Sequence, residues 1–192
     1  AQSFIAYQLE GRNAMGRSMK LDRQEVIGAV VALEQWLKMN HEDRFSVNIK
    51  KQESIAAEIN TISGDKIKME SYKGKKILIV NVASKCGLTP QYKDLESLYK
   101  THSEKLIVLA FPSNDFLRQE PGSNQEIQNF CESNYSISFP LFEKSKVKGK
   151  NKNIIYDWLT DPKKNGWNKK GPSWNFTKYL IDEDGKLINR FS

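Results

Sequence analysis

The chain has 192 residues, 39% of them hydrophobic and 28% charged, with 30 Lys and Arg against 23 Asp and Glu for a formal net charge of +7. This is enough for one globular domain with a proper core plus an appendage, and no apolar run is long enough to span a bilayer. Two cysteines exclude a disulfide scaffold. Together with two histidines at these positions they also give no zinc-ligand spacing.

The first 52 residues read as an extension. Leu21 to Met39 carries Val26, Ile27, Val30, Val31, Leu33 and Leu37 at helical spacing after Asp22 as N-cap, which predicts one amphipathic helix between polar linkers. Residues 16–34 resemble a piece of pyridoxal-phosphate enzymes of the selenium-transferase type. The lysine region that holds their cofactor has no match, so the stretch is assigned no chemistry and is read as foreign or chimeric.

From residue 53 the pattern becomes regular. Ile55 to Ile62 and Ile67 to Met69 flank Ser63-Gly-Asp-Lys66, a hairpin signal, and the apolar run Ile77 to Val82 predicts a strand. Tyr92, Leu95, Leu98 and Tyr99 predict a helix, and Leu106 to Phe111 reads as a strand buried on both faces. This is a β-α-β unit with a parallel pair. Ser123 and Glu126 form a capping-box pattern ahead of Ile127, Phe130 and Cys131, which share one helical face. Phe139 to Phe142 predicts a short strand and Asn153 to Leu159 a helix. Phe176 to Ile181 and Lys186 to Phe191 predict a hairpin around Asp182-Glu-Asp-Gly185.

Cys86 falls where the strand ending at Val82 turns into the next helix, with Thr89 as a plausible N-cap and Pro90 at the first helical position. A helix start there would aim backbone N–H groups and the positive end of the dipole at the sulfur, favouring the thiolate and depressing the pKa. On position alone, Cys86 is equally a small buried hydrophobe. The lysines of 73–76, 144–152 and 163–170 sit among Gly, Asn and Pro, as solvated loops do. Only Trp158 and Trp167 lie near a cluster, so no nucleic-acid site is expected, and an acidic protein partner is an equal use of the charge.

Three motifs combine in order: Asn81-Val-Ala-Ser-Lys-Cys-Gly87, Phe111-Pro-Ser-Asn-Asp-Phe-Leu-Arg-Gln-Glu-Pro-Gly122 and Trp174-Asn-Phe-Thr-Lys178. Residues 53–192 thereby resemble the glutathione peroxidase family, in its thioredoxin-dependent two-cysteine branch. The resemblance implies an α/β thioredoxin-like fold, with a mixed central sheet flanked by helices behind the N-terminal helical extension. It also implies a thiol peroxidase that reduces hydrogen peroxide and organic or lipid hydroperoxides. The catalytic residues implied are Cys86, Gln119, Trp174 and Asn175, with a sulfenic acid formed on Cys86. An amide and an indole N–H suit that task, since they stabilise charge without competing as nucleophiles.

By the same resemblance Cys131 resolves the sulfenic acid into a disulfide, and thioredoxin or glutathione recycles it. Taken singly, Gln119 also reads as a turn residue, Trp174 as a core aromatic, Asn175 as a strand start and Cys131 as a buried helix residue. A third cysteine of such relatives falls at Ser113. The short section between Asp161 and Ser173 implies a monomer or weak dimer with an open site. No cofactor, metal, nucleic acid or stable membrane insertion is expected, and the expected compartment is the cytoplasm, with the periplasm or secretion as alternatives. Asp115 and the pair Leu117-Arg118 depart from the family pattern, and the terminal helix usual in relatives is missing after Ser192. A peroxide sensor that relays oxidation to a partner protein, and a catalytically silent basic binding module, are the competing readings.

Overall fold

The computed structural model describes residues 57–192. The predicted helix over residues 21–39, the pyridoxal-enzyme resemblance and the start of the first hairpin strand lie outside the described residues.

Strand β1 (Glu58–Asn60) pairs antiparallel with β2 (Lys66–Lys68), as the turn chemistry predicts. A 3-10 turn, Met69–Tyr72, leads to β3 (Lys76–Val82). The helix α1 (Gln91–His102) crosses over to β4 (Leu106–Pro112), parallel to β3 with Ile77 opposite Ile107 and Val80 opposite Ala110. Helix α2 (Asn124–Tyr135) follows, then α3 (Ile154–Leu159) and the single turn α4 (Pro162–Asn165). The hairpin of β5 (Lys178–Ile181) and β6 (Leu187–Phe191) completes a four-stranded sheet ordered β4-β3-β5-β6, with β5 antiparallel to β3.

The continuous apolar runs have the cause read from them. Every residue of β4 is buried, and in β3 all but Lys76 are. Side chains alternate across a sheet. Ile77, Ile79, Ile107, Leu109, Phe111, Tyr179 and Ile181 therefore share one core with Tyr156, Trp158 and Leu159 from α3 and its end. The opposite face carries Leu78, Val80, Val108 and Ala110, and buried Tyr92, Leu95 and Leu98 lie on α1. Each such side chain contributes about 1.5–3 kcal/mol by leaving water.

Three boundaries differ from expectation. The stretch Phe139 to Phe142 makes only two isolated bridges, Thr61 with Phe142 and Ala110 with Leu141. β5 starts at Lys178, because Phe176 has φ 63 and so cannot continue a strand. α1 starts at Gln91, with Pro90 already in the right-handed helical region and no side chain capping it. Among the described residues, no helix is long and apolar enough to cross a membrane.

Candidate active site

Cys86 sits in a run of turns between β3 and α1, and its exposure is intermediate. It is therefore not the sealed hydrophobe that position alone allowed. Thr89 does not cap the helix. Its Oγ1 accepts the Cys86 N–H at 3.0 Å and donates to the Ala83 carbonyl at 2.8 Å, so it ties the cysteine loop back to the end of β3. The helix begins at Gln91, one residue after the predicted first position at Pro90, and Cys86 lies in the turns ahead of it. Among the described residues, the hydrogen bond at the sulfur comes from the Leu88 N–H at 3.4 Å, a donor of the loop and not of the helix.

The second motif is held against this loop. The Lys85 N–H donates to the Gln119 carbonyl at 3.0 Å, one residue before the cysteine. Leu117 and Arg118 both adopt left-handed φ, 48° and 54°, which L-residues enter at a cost of about 1–2 kcal/mol each. The turn they make brings Phe116 inward and leaves Leu117 77% exposed. Arg118 is exposed to solvent. Asp115 Oδ2 accepts the N–H groups of Val147 and Lys148, at 2.7 and 3.0 Å, so its departure from the family pattern anchors the basic loop.

The third motif arrives from the start of the hairpin. Asn175 is 2% exposed, and its Nδ2 donates to Gln119 Oε1 at 2.8 Å. That bond fixes the amide of Gln119 with its own Nε2 turned away from Asn175. Trp174 is 38% exposed, with its ring 5.5 Å from that of Phe116 and Lys148 Nζ over the far partner, Phe116, at 4.5 Å. It is thus a rim residue, not a core aromatic, and Asn175 lies in a turn ahead of β5, not at its start. The structure joins Gln119 to Asn175 directly and Gln119 to the Cys86 loop through the backbone. Neither Gln119 nor Trp174 hydrogen-bonds the sulfur among the described residues.

Two buried polar residues that the sequence reading passed over do the positioning. Asn81, 0% exposed, donates from Nδ2 to the Trp174 carbonyl at 2.9 Å, and its own carbonyl accepts the Phe176 N–H at 2.6 Å. These bonds hold Phe176 in its left-handed conformation. Glu120, 1% exposed, accepts Ser84 N–H and Oγ–H through Oε2 at 2.9 and 3.1 Å. A signal for Asn81 existed: an amide inside an otherwise apolar strand must find partners or lose stability.

Cys131 is fully buried on α2. Burial pushes its thiol up to about 11, with Glu120 adding to the rise and Tyr92 opposing it. The capping box at Ser123 and Glu126 is present as predicted. Both cysteines are free thiols. Ser113 is 0% exposed. Among the described residues, no group of three or more His, Cys, Asp or Glu could hold a metal ion.

Comparison with known proteins gives the family. The family model described as glutathione peroxidase matches residues 55–160. Glutathione peroxidase-like peroxiredoxin 2 of Saccharomyces cerevisiae is 48% identical over 130 residues, covering 67% of this chain and 80% of that protein. The hydroperoxy fatty acid reductase gpx1 of Synechocystis is 42% identical over 140 residues, covering 69% and 82%. Among solved structures, the apo form of Trgpx superposes with a TM-score of 0.56 at 32% identity, covering 74% of this chain and 86% of that one. The described domain has the thioredoxin-like fold. On the family match, the identity and the convergence of the three motifs, this chain belongs to the glutathione peroxidase family and is a peroxidase.

Proposed function

We propose that Cys86 is the sulfur that hydroperoxide oxidises, with Gln119, Trp174 and Asn175 as its catalytic surroundings and Cys131 as the resolving thiol. The observation that supports this reading is the meeting of three distant stretches beside the loop of a partly exposed cysteine: Lys85 on Gln119, and Gln119 on Asn175. In the first step the Cys86 thiolate attacks one peroxide oxygen. The S–O bond forms, the O–O bond breaks, and the leaving oxygen takes a proton to give water or an alcohol. A donor fixed in place before the reaction stabilises that leaving charge more than solvent does, and the Gln119 amide, fixed by Asn175, has this property.

In the second step Cys131 attacks the sulfenic sulfur, giving a disulfide and water. A disulfide needs Cα atoms roughly 4.4 to 6.8 Å apart, so α2 must open locally to bring a buried thiol across. Thioredoxin, a dithiol protein, then reduces the bridge by exchange; glutathione is the alternative donor. Organic and lipid hydroperoxides fit an open site rimmed by Leu117 and Trp174. The segment 161–173 turns back on its own sheet through Trp167 Nε1, which donates to the Leu187 carbonyl at 2.7 Å. This supports a monomer or weak dimer. A chain with two cysteines and no disulfide scaffold suits the cytoplasm.

A second reading draws on the burial of Cys131. A thiol held near 11 resolves slowly, and a long-lived sulfenic acid could pass its oxidation to a partner protein. Steady-state peroxide consumption with thioredoxin, thioredoxin reductase and NADPH separates the two. The enzyme turns over, and Cys131→Ser blocks thioredoxin turnover; a Cys131→Ser protein that cycles normally would refute the resolving role.

A further inference from the structure

One buried carboxylate beside the Cys86 loop has no part in the cycle above. Glu120 Oε2 is taken by Ser84, two residues before Cys86, and its backbone N–H donates to Asn114 Oδ1 at 2.9 Å. Its Oε1 is buried and has no hydrogen-bond partner among the described residues. The residue lines a cleft of ≈ 360 Å³ whose walls are Ser84 and Lys85 of the cysteine loop on one side and Ile127 and Phe130 of α2 on the other. The carboxylate is therefore bound to the loop of one cysteine and shares a cleft with the helix that carries the other, close enough that its charge acts on the Cys131 thiol.

We propose that Glu120 carries the proton of the second step: Oε1 accepts it from the Cys131 thiol as that sulfur attacks, and returns it to the hydroxide leaving Cys86. This deepens the reading of Cys131 as the resolving thiol and rests on it. The S–S bond forms from the Cys131 electron pair, and the S–O bond of Cys86 breaks with its pair on oxygen. The returned proton makes that oxygen water. Cys131 is oxidised, the Cys86 sulfenic sulfur is reduced, and Glu120 ends as it began.

The need for a base follows from burial. While packed in α2 the thiol, near 11, is ionised to roughly one part in ten thousand at neutral pH, so a proton acceptor at the cleft speeds its release as the helix opens. Burial also raises Glu120 above the usual carboxylate range, opposed by its bonds to Ser84 and by Lys144 and Lys85. A base shifted toward the working pH is the more effective one. The other groups facing it are Cys131 itself and Tyr92 of α1, both of which its charge raises. Glu126 is occupied in the capping box.

The test uses the full chain, one equivalent of hydrogen peroxide, rapid acid quench and intact mass, from pH 5 to 8. Glu120→Gln keeps an oxygen for the Ser84 N–H but cannot shuttle a proton. Disulfide formation in the variant is expected to slow by about 100-fold, well beyond any slowing of sulfenic acid formation, and to lose the Glu120 limb of its pH profile. An unchanged disulfide rate and profile overturns the proposal. If the variant fails to fold, the wild-type protein still decides. Its disulfide step is expected to slow in D2O, and absence of an isotope effect overturns the shuttle. A wild-type protein that holds its sulfenic acid and never forms the bridge overturns the Cys131 assignment instead.

Discussion

Asn175 and Gln119 make one unit in this structure, and the size of each contribution can be worked out. On the proposed mechanism, Gln119→Ala removes the amide donor that stabilises the leaving oxygen. Deleting one preorganised donor costs about 100- to 1000-fold in rate. The site is open to water here, which favours the lower figure, so about 100-fold, or about 2.7 kcal/mol at 1.36 kcal/mol per decade, is expected. Asn175→Ala leaves the amide present and removes the 2.8 Å bond that orients it. A neutral hydrogen bond is worth about 1 kcal/mol net, so the variant should react about fivefold more slowly. The double variant should match Gln119→Ala within about twofold, a coupling of about 1 kcal/mol. Stopped-flow fluorescence of the half-exposed Trp174 during oxidation by hydrogen peroxide gives the second-order rate constants. Should Asn175→Ala slow the reaction equally with and without Gln119, the two residues act independently and the orienting role is wrong.

Other consequences concern stability. Leu117→Gly relieves a left-handed residue whose side chain is mostly in water, and the gain of about 1–2 kcal/mol less a glycine penalty of about 0.5–1 leaves about 0.5–1 kcal/mol of stabilisation in urea melts. Destabilisation would mean that the turn is not strained. Glu96 and Glu120 should give opposite pH slopes. Burial raises Glu96, but its bonds to Ser138 and the pairing with Lys100 win and leave it lowered. Its stabilising contribution is thus present above the unfolded value near 4.3 and lost as pH falls through the folded one. Glu120 is raised, so its contribution is present below about 4.3 and lost as pH rises through the folded value. Urea melts of Glu96→Gln and Glu120→Gln against the wild type between pH 3 and 8 should show the stability gap growing with pH for the first and shrinking for the second. Tyr156→Phe removes a buried hydroxyl with no hydrogen-bond partner among the described residues, so the melting temperature should hold or rise; a clear fall would reveal a partner.

The elements legible in the sequence are those set by local pattern. The apolar runs of β3 and β4, the spacing of Tyr92, Leu95 and Leu98, and the Ser123–Glu126 capping box each carry their own cause. Thr89 misled because Thr before Pro has the chemistry of an N-cap, while a tertiary demand, closing the loop around Cys86, took its hydroxyl. Phe176 fits a strand pattern as an aromatic next to Lys178–Ile181, yet does not join the strand. Its left-handed φ depends on Asn81, almost a hundred residues earlier in the chain, and no local pattern contains that.

Gln119, Trp174 and Asn175 were recognisable only as members of ordered motifs. The bond between Gln119 and Asn175 needs the fold to exist. Glu120 is legible as a letter of its motif but not as a group, since its burial and its unpaired oxygen arise only where the folded chain sets it against Ser84 beside the cleft of α2.

The central claim is that Cys86 takes the peroxide oxygen and Cys131 then displaces it. Intact mass of the full chain after one equivalent of hydrogen peroxide tests this directly. A loss of about 2 mass units, mapped by peptide digestion to a bridge between Cys86 and Cys131, is the predicted result. Unchanged mass, or a gain of about 16 units that persists with Cys131 present, contradicts the account.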